Sequence, residues 1–191
     1  KPTPTIGGLG VIKDYKKMTT MKLKKIDNLV LLIGKTEGHI DQSIFAVEIF
    51  NQKKGPPPEI NLFNEKNNGE TILKLINDGY IKSAHDVSAG GSLVAIAKMC
   101  IAGNKGINIT KPKNLINYFE YFFGEDQARY LIEIEKKDLK KIKTILEENS
   151  VYFSEFGIIQ EKNIILKDKF DVTIDELIKT NKNWLKEYMS N

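Results

Sequence analysis

Residues 83–92 carry side chains and glycines from which an anion-binding site could be built. Two glycines lie there between a predicted strand and a predicted helix. Backbone N–H groups at a helix start carry partial positive charge, and glycine lets an anion approach the backbone closely. This arrangement suits a phosphate group. The candidate residues are His85, Asp86, Ser88, Gly90 and Gly91.

The same stretch has a plainer interpretation as a tight turn between a strand and a helix. Ser88 would then be a simple helix cap, and His85 would have a structural role. The pattern is only moderately specific, so the residues alone leave both interpretations open.

A second polar stretch, residues 122–129, joins two acids, an amide and an arginine at the start of a predicted strand. Carboxylates can hold a sugar hydroxyl or Mg²⁺, and glutamine can bond an amide or a hydroxyl. The alternative is a surface turn with a local ion pair between Glu125 and Arg129, which is worth under ~1 kcal/mol. The candidate residues are Glu125, Asp126, Gln127 and Arg129.

Other reactive residue types do not form a recognisable centre, and we predict neither a catalytic residue nor a metal site within this chain. The glycine-rich residues 5–10 lack the Gly-Lys-Ser/Thr ending of a phosphate-binding loop. Two histidines and one cysteine argue against a zinc site. Cys100 lies in an apolar, helix-like run, so we interpret it as a small buried hydrophobe.

The composition is that of a soluble globular protein, with 41% hydrophobic and 28% charged residues. The net charge is +4, yet Arg129 is the only arginine, and the lysines are spread along the chain beside Asp and Glu with no basic block. Nucleic-acid readers favour arginine, so the charge does not indicate nucleic-acid binding. No apolar run approaches the ~20 residues of a membrane helix. A single cysteine fits a reducing cytoplasm, where we expect the protein to act.

Strands and helices of moderate length alternate along the chain, which predicts an α/β (α+β) fold with helices packed on a mixed sheet. The five apolar residues 29–33 predict a buried strand, and alternation in 129–135 predicts another. Thr173 and Glu176 form a capping-box pattern for a last helix.

We also predict strands at 5–12, 81–87 and 106–110, a hairpin of 151–160 with 162–167, and helices at 41–51 (Asp41 as cap), 66–78, 92–102, 115–123 and 139–146. The apolar face of the last helix would carry Ile174, Leu177, Ile178, Trp184 and Leu185.

Four segments in order resemble the synthetase subunit of phosphoribosylformylglycinamidine synthase, of the PurL type, which is similar in fold to aminoimidazole ribonucleotide synthetase. Residues 2–10 resemble its Pro-Thr-Pro-x-Ile-Gly segment, and 55–58 resemble its proline loop. Residues 83–91 are similar to its His-Asp-Val-Ser-Asp-Gly-Gly motif, and 123–129 to its Gly-Glu-x-Gln-x-Arg motif. Ala89 stands where the family usually has Asp, and Ser92 where it usually has Leu. Without the carboxylate at position 89, a metal-binding role for this turn is weakened.

The resemblance implies an ATP-dependent ligase of purine biosynthesis. With Mg²⁺, ATP would activate the formyl amide oxygen of formylglycinamide ribonucleotide, and glutamine-derived ammonia would displace phosphate. The family carries two tandem copies of an N-terminal-type and a C-terminal-type half. Residues 1–20 would end the second N-terminal-type half, and 21–191 would form the second C-terminal-type domain. The catalytic histidine and the ATP and Mg²⁺ ligands would lie upstream, so we expect this fragment to bind neither and to be inactive alone.

By the same resemblance, the nine candidate residues would face a second, pseudo-symmetric site that is a degenerate copy. Implied partners are the upstream half of the subunit, a glutaminase subunit and a small bridging subunit, with no nucleic acid or membrane.

Two alternatives stay open. The chain could belong to a related synthetase, or it could be a non-catalytic interaction module that self-associates through an exposed strand at 5–12.

Overall fold

The computed structural model describes residues 5–112 and 117–190, and in this part of the chain seven strands form one mixed sheet. The strand order is β2-β4-β1-β5-β3-β6-β7, and every pair is antiparallel except β3 with β6. The predicted fold class is thereby confirmed. The strands are β1 (Leu29–Ile33), β2 (Ile81–Asp86), β3 (Gly106–Ile109), β4 (Tyr130–Ile134), β5 (Phe153–Gln160), β6 (Asn163–Leu166) and β7 (Phe170–Thr173).

Helices cover both faces of the sheet. One apolar core lies between the sheet and α2 and α5, and a second lies between the sheet and α3, α4 and α6. All five residues of β1 are buried because the strand is covered from both sides. The helices are α1 (Ile44–Phe50), α2 (Leu62–Asn77), α3 (Gly91–Gly103), α4 (Tyr118–Phe123), α5 (Leu139–Glu148) and α6 (Ile174–Tyr188).

Side chains cap the starts of α1, α2, α4 and α6, and the first three of these helices begin at other residues than predicted. Ser43, not Asp41, caps α1 by accepting from the backbone N–H of Ala46. Asn61 caps α2, which begins four residues before the predicted start at 66. The capping box of Thr173 and Glu176 at α6 is confirmed.

The apolar face of α6 packs on the core at its first residues and is exposed at its far end. Trp184 is 61% and Leu185 is 56% exposed, whereas Ile174 is buried in the core. Trp184 instead stacks on Tyr188 at a ring-centroid distance of 5.7 Å.

The predicted hairpin of β5 and β6 is wrong, because β3 lies between these two strands. Only residues 161 and 162 connect them, and this short link passes the start of β3. There the backbone N–H of Gly106 donates to the carbonyl of Glu161 at 3.2 Å. A Cβ on Gly106 would collide with the backbone of Asn163, so the crossing requires glycine.

The predicted strand at 5–12 is also wrong, since these residues form no ladder and are exposed. The apolar side chains of Ile6, Leu9 and Val11 are each more than nine-tenths exposed. Residues 1–4 of the Pro-Thr-Pro segment, and 115–116 of the predicted helix at 115–123, lie outside the described residues. Among the described helices, none has the length and hydropathy to cross a bilayer.

A fully buried carboxylate attaches the segment before β1 to the sheet. Glu133 on β4 is 0% exposed. Its Oε2 accepts from the backbone N–H of Lys24 and the hydroxyl of Ser83, both at 2.8 Å. Its Oε1 accepts from the backbone N–H of Lys25 at 3.0 Å and the amide of Asn28 at 2.7 Å. Four donors therefore replace the water that the charge loses on burial.

We expect Glu133→Gln to lower the free energy of unfolding by about 2–4 kcal/mol, because one side of the amide cannot accept and leaves buried donors unpaired. Urea unfolding followed by circular dichroism measures this. Glu135→Gln is the matched control, since Glu135 sits two residues along the chain and, among the described residues, forms ion pairs with the solvent-accessible lysines Lys82 and Lys137. Equal stability of the two variants would show that Glu133 does not anchor the segment before β1 to the sheet.

Candidate functional site

The glycine turn after β2 brings the start of α3 against the end of α4. Gly90 and Gly91 both have positive φ, at 85° and 71°. A Cβ on Gly91 would lie 2.5 Å from the carbonyl oxygen of Phe122 and 2.8 Å from that of Gly124. The two glycines therefore serve a backbone conformation and a close helix contact. Ser88 is not the helix cap, because the cap position is Gly90 and no side chain of the described residues caps α3.

Glu125 joins the two polar stretches of the sequence. Its Oε1 accepts from the backbone N–H of Gly90 and from that of Ile44, each at 2.8 Å. The protein's own carboxylate thus occupies the glycine N–H that could hold a phosphate. The two predicted stretches do meet at one end of the sheet, and the contact between them is a charge-assisted hydrogen bond.

Asp126 fixes the loop that follows β1. Its Oδ2 accepts from the backbone N–H groups of Glu37 and Gly38, both at 3.1 Å, and its Oδ1 accepts from that of His39 at 2.9 Å. The residue is 7% exposed. Three consecutive N–H groups directed at one carboxylate give this loop a single conformation.

Arg129 pairs with Asp126 and not with Glu125, so the predicted local ion pair is corrected. Nη1 lies 3.5 Å from Oδ2 of Asp126, and the Arg129 side chain is 0% exposed. The guanidinium also donates to the carbonyls of Asp126 and Gly124 and to Oγ1 of Thr36. Burial lowers the pKa of Arg129, and the charge of Asp126 opposes that shift.

Gln127 lies in a cleft of about 370 Å³ between the loop after β1 and the start of α2. Asp126 contributes to the same cleft, and His39 reaches the proline loop by a 3.1 Å contact of Nε2 with the carbonyl of Pro56. Amide side chains dominate the other wall of the cleft, contributed by Asn61, Asn64 and Asn68.

His85 and Asp86 end β2 at the edge of the sheet. Nδ1 of His85 lies 3.0 Å from Oδ1 of Asp86. Nε2 of His85 is buried and has no hydrogen-bond partner within residues 5–112 and 117–190. Asp86 is mostly exposed, with 62% of its side chain accessible. These two residues adjoin the glycine turn, and within the described part of the chain their side chains form no hydrogen bond with Glu125 or Asp126.

Sequence reasoning missed the segments that complete this end of the fold. Glu65 on α2 accepts from the backbone N–H of Ala128 at 2.9 Å, and Asn68 donates to the carbonyl of Ala128 at 2.9 Å. Glu65 and Asn68 are ordinary polar residues of a helix in the sequence, and only the tertiary fold brings them to Ala128. Cys100 is buried in α3 as predicted, and burial raises its pKa to about 12.

Comparison with known proteins decides the family. The profile described as AIR synthase related protein, C-terminal domain, matches residues 25–169. The chain belongs to this family. Over 191 residues it is 63% identical to the phosphoribosylformylglycinamidine synthase subunit PurL of Pelagibacter ubique (strain HTCC1062), covering 100% of this chain and 26% of that protein. Identity to the same subunit of Rhodopseudomonas palustris (strain TIE-1) is 37% over 188 residues, covering 98% of this chain and 26% of that protein.

Solved structures share the fold of this AIR synthase related domain. The structure named T. maritima PurL complexed with FGAR has a TM-score of 0.71 at 18% identity, covering 85% of this chain and 29% of that one. The structure named PurLQS from Thermotoga maritima has a TM-score of 0.64 at 18% identity, covering 83% of this chain and 27% of that one. The chain thus spans about a quarter of the length of the relatives it matches.

We expect Asp126→Asn to lower the free energy of unfolding by about 3 kcal/mol, because it removes a charged acceptor from three N–H groups and leaves Arg129 buried without a counter-charge. Urea unfolding gives the loss, and hydrogen exchange at residues 37–39 should accelerate. Asp78→Asn makes the same change at an exposed residue and serves as the control. Unchanged exchange at 37–39 would show that the carboxylate does not hold the loop.

Proposed function

We propose that this chain is the C-terminal part of a phosphoribosylformylglycinamidine synthase synthetase subunit. The observation that carries the proposal is 63% identity to the Pelagibacter ubique subunit over all 191 residues. The whole subunit would use ATP to activate the formyl amide oxygen of formylglycinamide ribonucleotide. Glutamine-derived ammonia would then displace phosphate and give formylglycinamidine ribonucleotide.

In this proposal the chain positions and supports the reaction but does not perform it. Residues 1–20 end the second N-terminal-type half, and 21–191 form the second C-terminal-type domain. ATP and Mg²⁺ bind upstream. The hydrogen bonds of the two carboxylates support that division. Asp126 and Oε1 of Glu125, which could otherwise bind a metal ion, already accept from backbone N–H groups. A metal ion would have to displace those hydrogen bonds.

The nine predicted site residues divide into two groups under the proposal. Glu125, Asp126, Arg129 and the glycine turn keep the end of the sheet in one conformation. His85, Asp86, Ser88 and Gln127 are the residues we propose for contact with a ribonucleotide at the pseudo-symmetric site. Support comes from the exposure of the Asp86 side chain and from the position of Gln127 in the amide-lined cleft.

The proposed partners are the upstream half of the subunit, a glutaminase and a small bridging subunit, acting together in the cytoplasm. Support comes from the name of the solved T. maritima complex, PurLQS. A non-catalytic interaction module of the same complex is the second candidate. It is favoured by the exposed apolar side chains of α1 and α4, where Phe50 is 67% and Phe119 is 59% exposed.

We expect the chain alone to release no ADP and form no amidine product, and to restore both activities when mixed with the remaining upstream part of the Pelagibacter ubique subunit. Ammonia-dependent ADP release and product formation are measured together. The upstream part alone is the control. Analytical ultracentrifugation checks that the two parts associate. A folded, associated pair without activity would overturn the ligase proposal and leave the interaction module.

A further inference from the structure

The second half of α6 extends past the core and presents large apolar side chains to solvent. In the first half of the helix, Ile174 is buried and Leu177 and Ile178 pack against the core. Beyond these turns, four side chains are between 56% and 75% exposed, those of Trp184, Leu185, Tyr188 and Met189. We call residues 181–189 the α6 overhang.

The overhang continues the apolar face that packs on the core. Trp184 and Leu185 follow Leu177 and Ile178 by seven residues, so the two pairs lie on the same side of the helix. Tyr188 lies one turn beyond Trp184, and their rings stack at a centroid distance of 5.7 Å and an angle of 13°. An apolar face that is covered in its first half and carries stacked aromatic rings in its second half indicates a contact surface.

The helix lies beyond the residues that the family profile matches. The AIR synthase related profile ends at residue 169, and α6 begins at Ile174. The match to the Pelagibacter ubique subunit nevertheless runs over all 191 residues, which are 26% of that protein. The helix is therefore shared with a much longer subunit, and about three quarters of such a subunit is available to cover the overhang.

The area of the overhang favours a contact within one polypeptide. With roughly 200 Å² for each large side chain, the four exposed fractions add up to roughly 500 Å². A contact that covers this area buries about 1,000 Å² when both sides are counted. Stable interfaces between separate chains bury about 1,600 Å², whereas domains of one chain meet over about 600–1,500 Å². Covalent linkage makes the smaller area sufficient, because it raises the effective concentration of the two surfaces.

We propose that the α6 overhang docks on an apolar surface of the upstream part of the same subunit. Trp184 and Tyr188 are the anchors, because rigid aromatic side chains supply large contact area for little loss of rotamer freedom. This inference rests on the proposed function in one respect, namely that the chain is the C-terminal part of a longer subunit. It adds the surface that holds the two parts together, which lies outside the glycine turn and the amide-lined cleft.

The test compares hydrogen exchange of the overhang in the 191-residue chain and in a full subunit. The full subunit joins this chain to the part of the Pelagibacter ubique subunit that it does not match. We expect the amides of residues 182–189 to exchange at least about tenfold more slowly in the full subunit, since docking suppresses fraying of the helix end. Trp184→Ala and Tyr188→Ala should each remove most of this protection.

Lys186→Ala is the matched control, because Lys186 is exposed and lies two residues from Trp184, on the opposite side of the helix. This variant should keep the protection. Alanine favours the helix more than tryptophan or tyrosine, so a purely local effect of the other two substitutions would slow exchange. Faster exchange therefore reports lost docking. Exchange of the β4 amides verifies the fold of each variant and should not change.

Equal exchange of the overhang in the chain and in the full subunit would overturn the proposal, as would protection that survives Trp184→Ala. Analytical ultracentrifugation of the 191-residue chain should show a monomer. A dimer that Trp184→Ala dissociates would assign the overhang to a second copy and also overturn the proposal.

Amidine formation by the full subunit separates this inference from the ligase proposal. A full subunit that protects the overhang but forms no amidine would support the docking and refute the ligase activity. A full subunit that forms amidine with an unprotected overhang would refute the docking alone.

Discussion

Two adjacent carboxylates hold five backbone N–H groups from three separate segments at one end of the sheet. Glu125 takes those of Ile44 and Gly90, and Asp126 takes those of residues 37–39. The buried Arg129 balances the charge and extends the network to Gly124 and Thr36. Loops have few apolar contacts of their own, so these charge-assisted hydrogen bonds give the end of the sheet its shape. The amide-lined cleft around Gln127 depends on that shape.

The motif residues illustrate how a binding pattern in sequence can become a structural one. Residues 83–92 have the glycines and helix start of an anion site, but a carboxylate of the same chain lies at Gly90. In this structure the glycines and the carboxylate serve the packing of the turn.

Local signals predicted local structure well. The apolar run of β1, the alternation in β4 and the capping box of α6 each follow from contacts within a few residues. The meeting of Gly90 with Glu125 was also within reach, because the first stretch follows the end of one strand and the second precedes the start of another, and antiparallel neighbours place those two ends together. The partners of Asp126 were not, since they lie 87–89 residues away and offer only backbone N–H groups, which every residue has. Strand order was equally hidden, because nothing in the sequence of β5 and β6 shows that β3 lies between them.

The two-residue link between β5 and β6 has a consequence for how the chain reaches this fold. The link must span two inter-strand spacings of ~4.8 Å, which is close to the full reach of the chain between Gln160 and Asn163. The same two strands could close on each other as a local hairpin before β3 arrives from some fifty residues upstream. Such a hairpin would form within about microseconds, and β3 could enter only after it opened. Gly106 therefore lies at a kinetic branch point, where early insertion of β3 leads to the native sheet and early hairpin closure delays it.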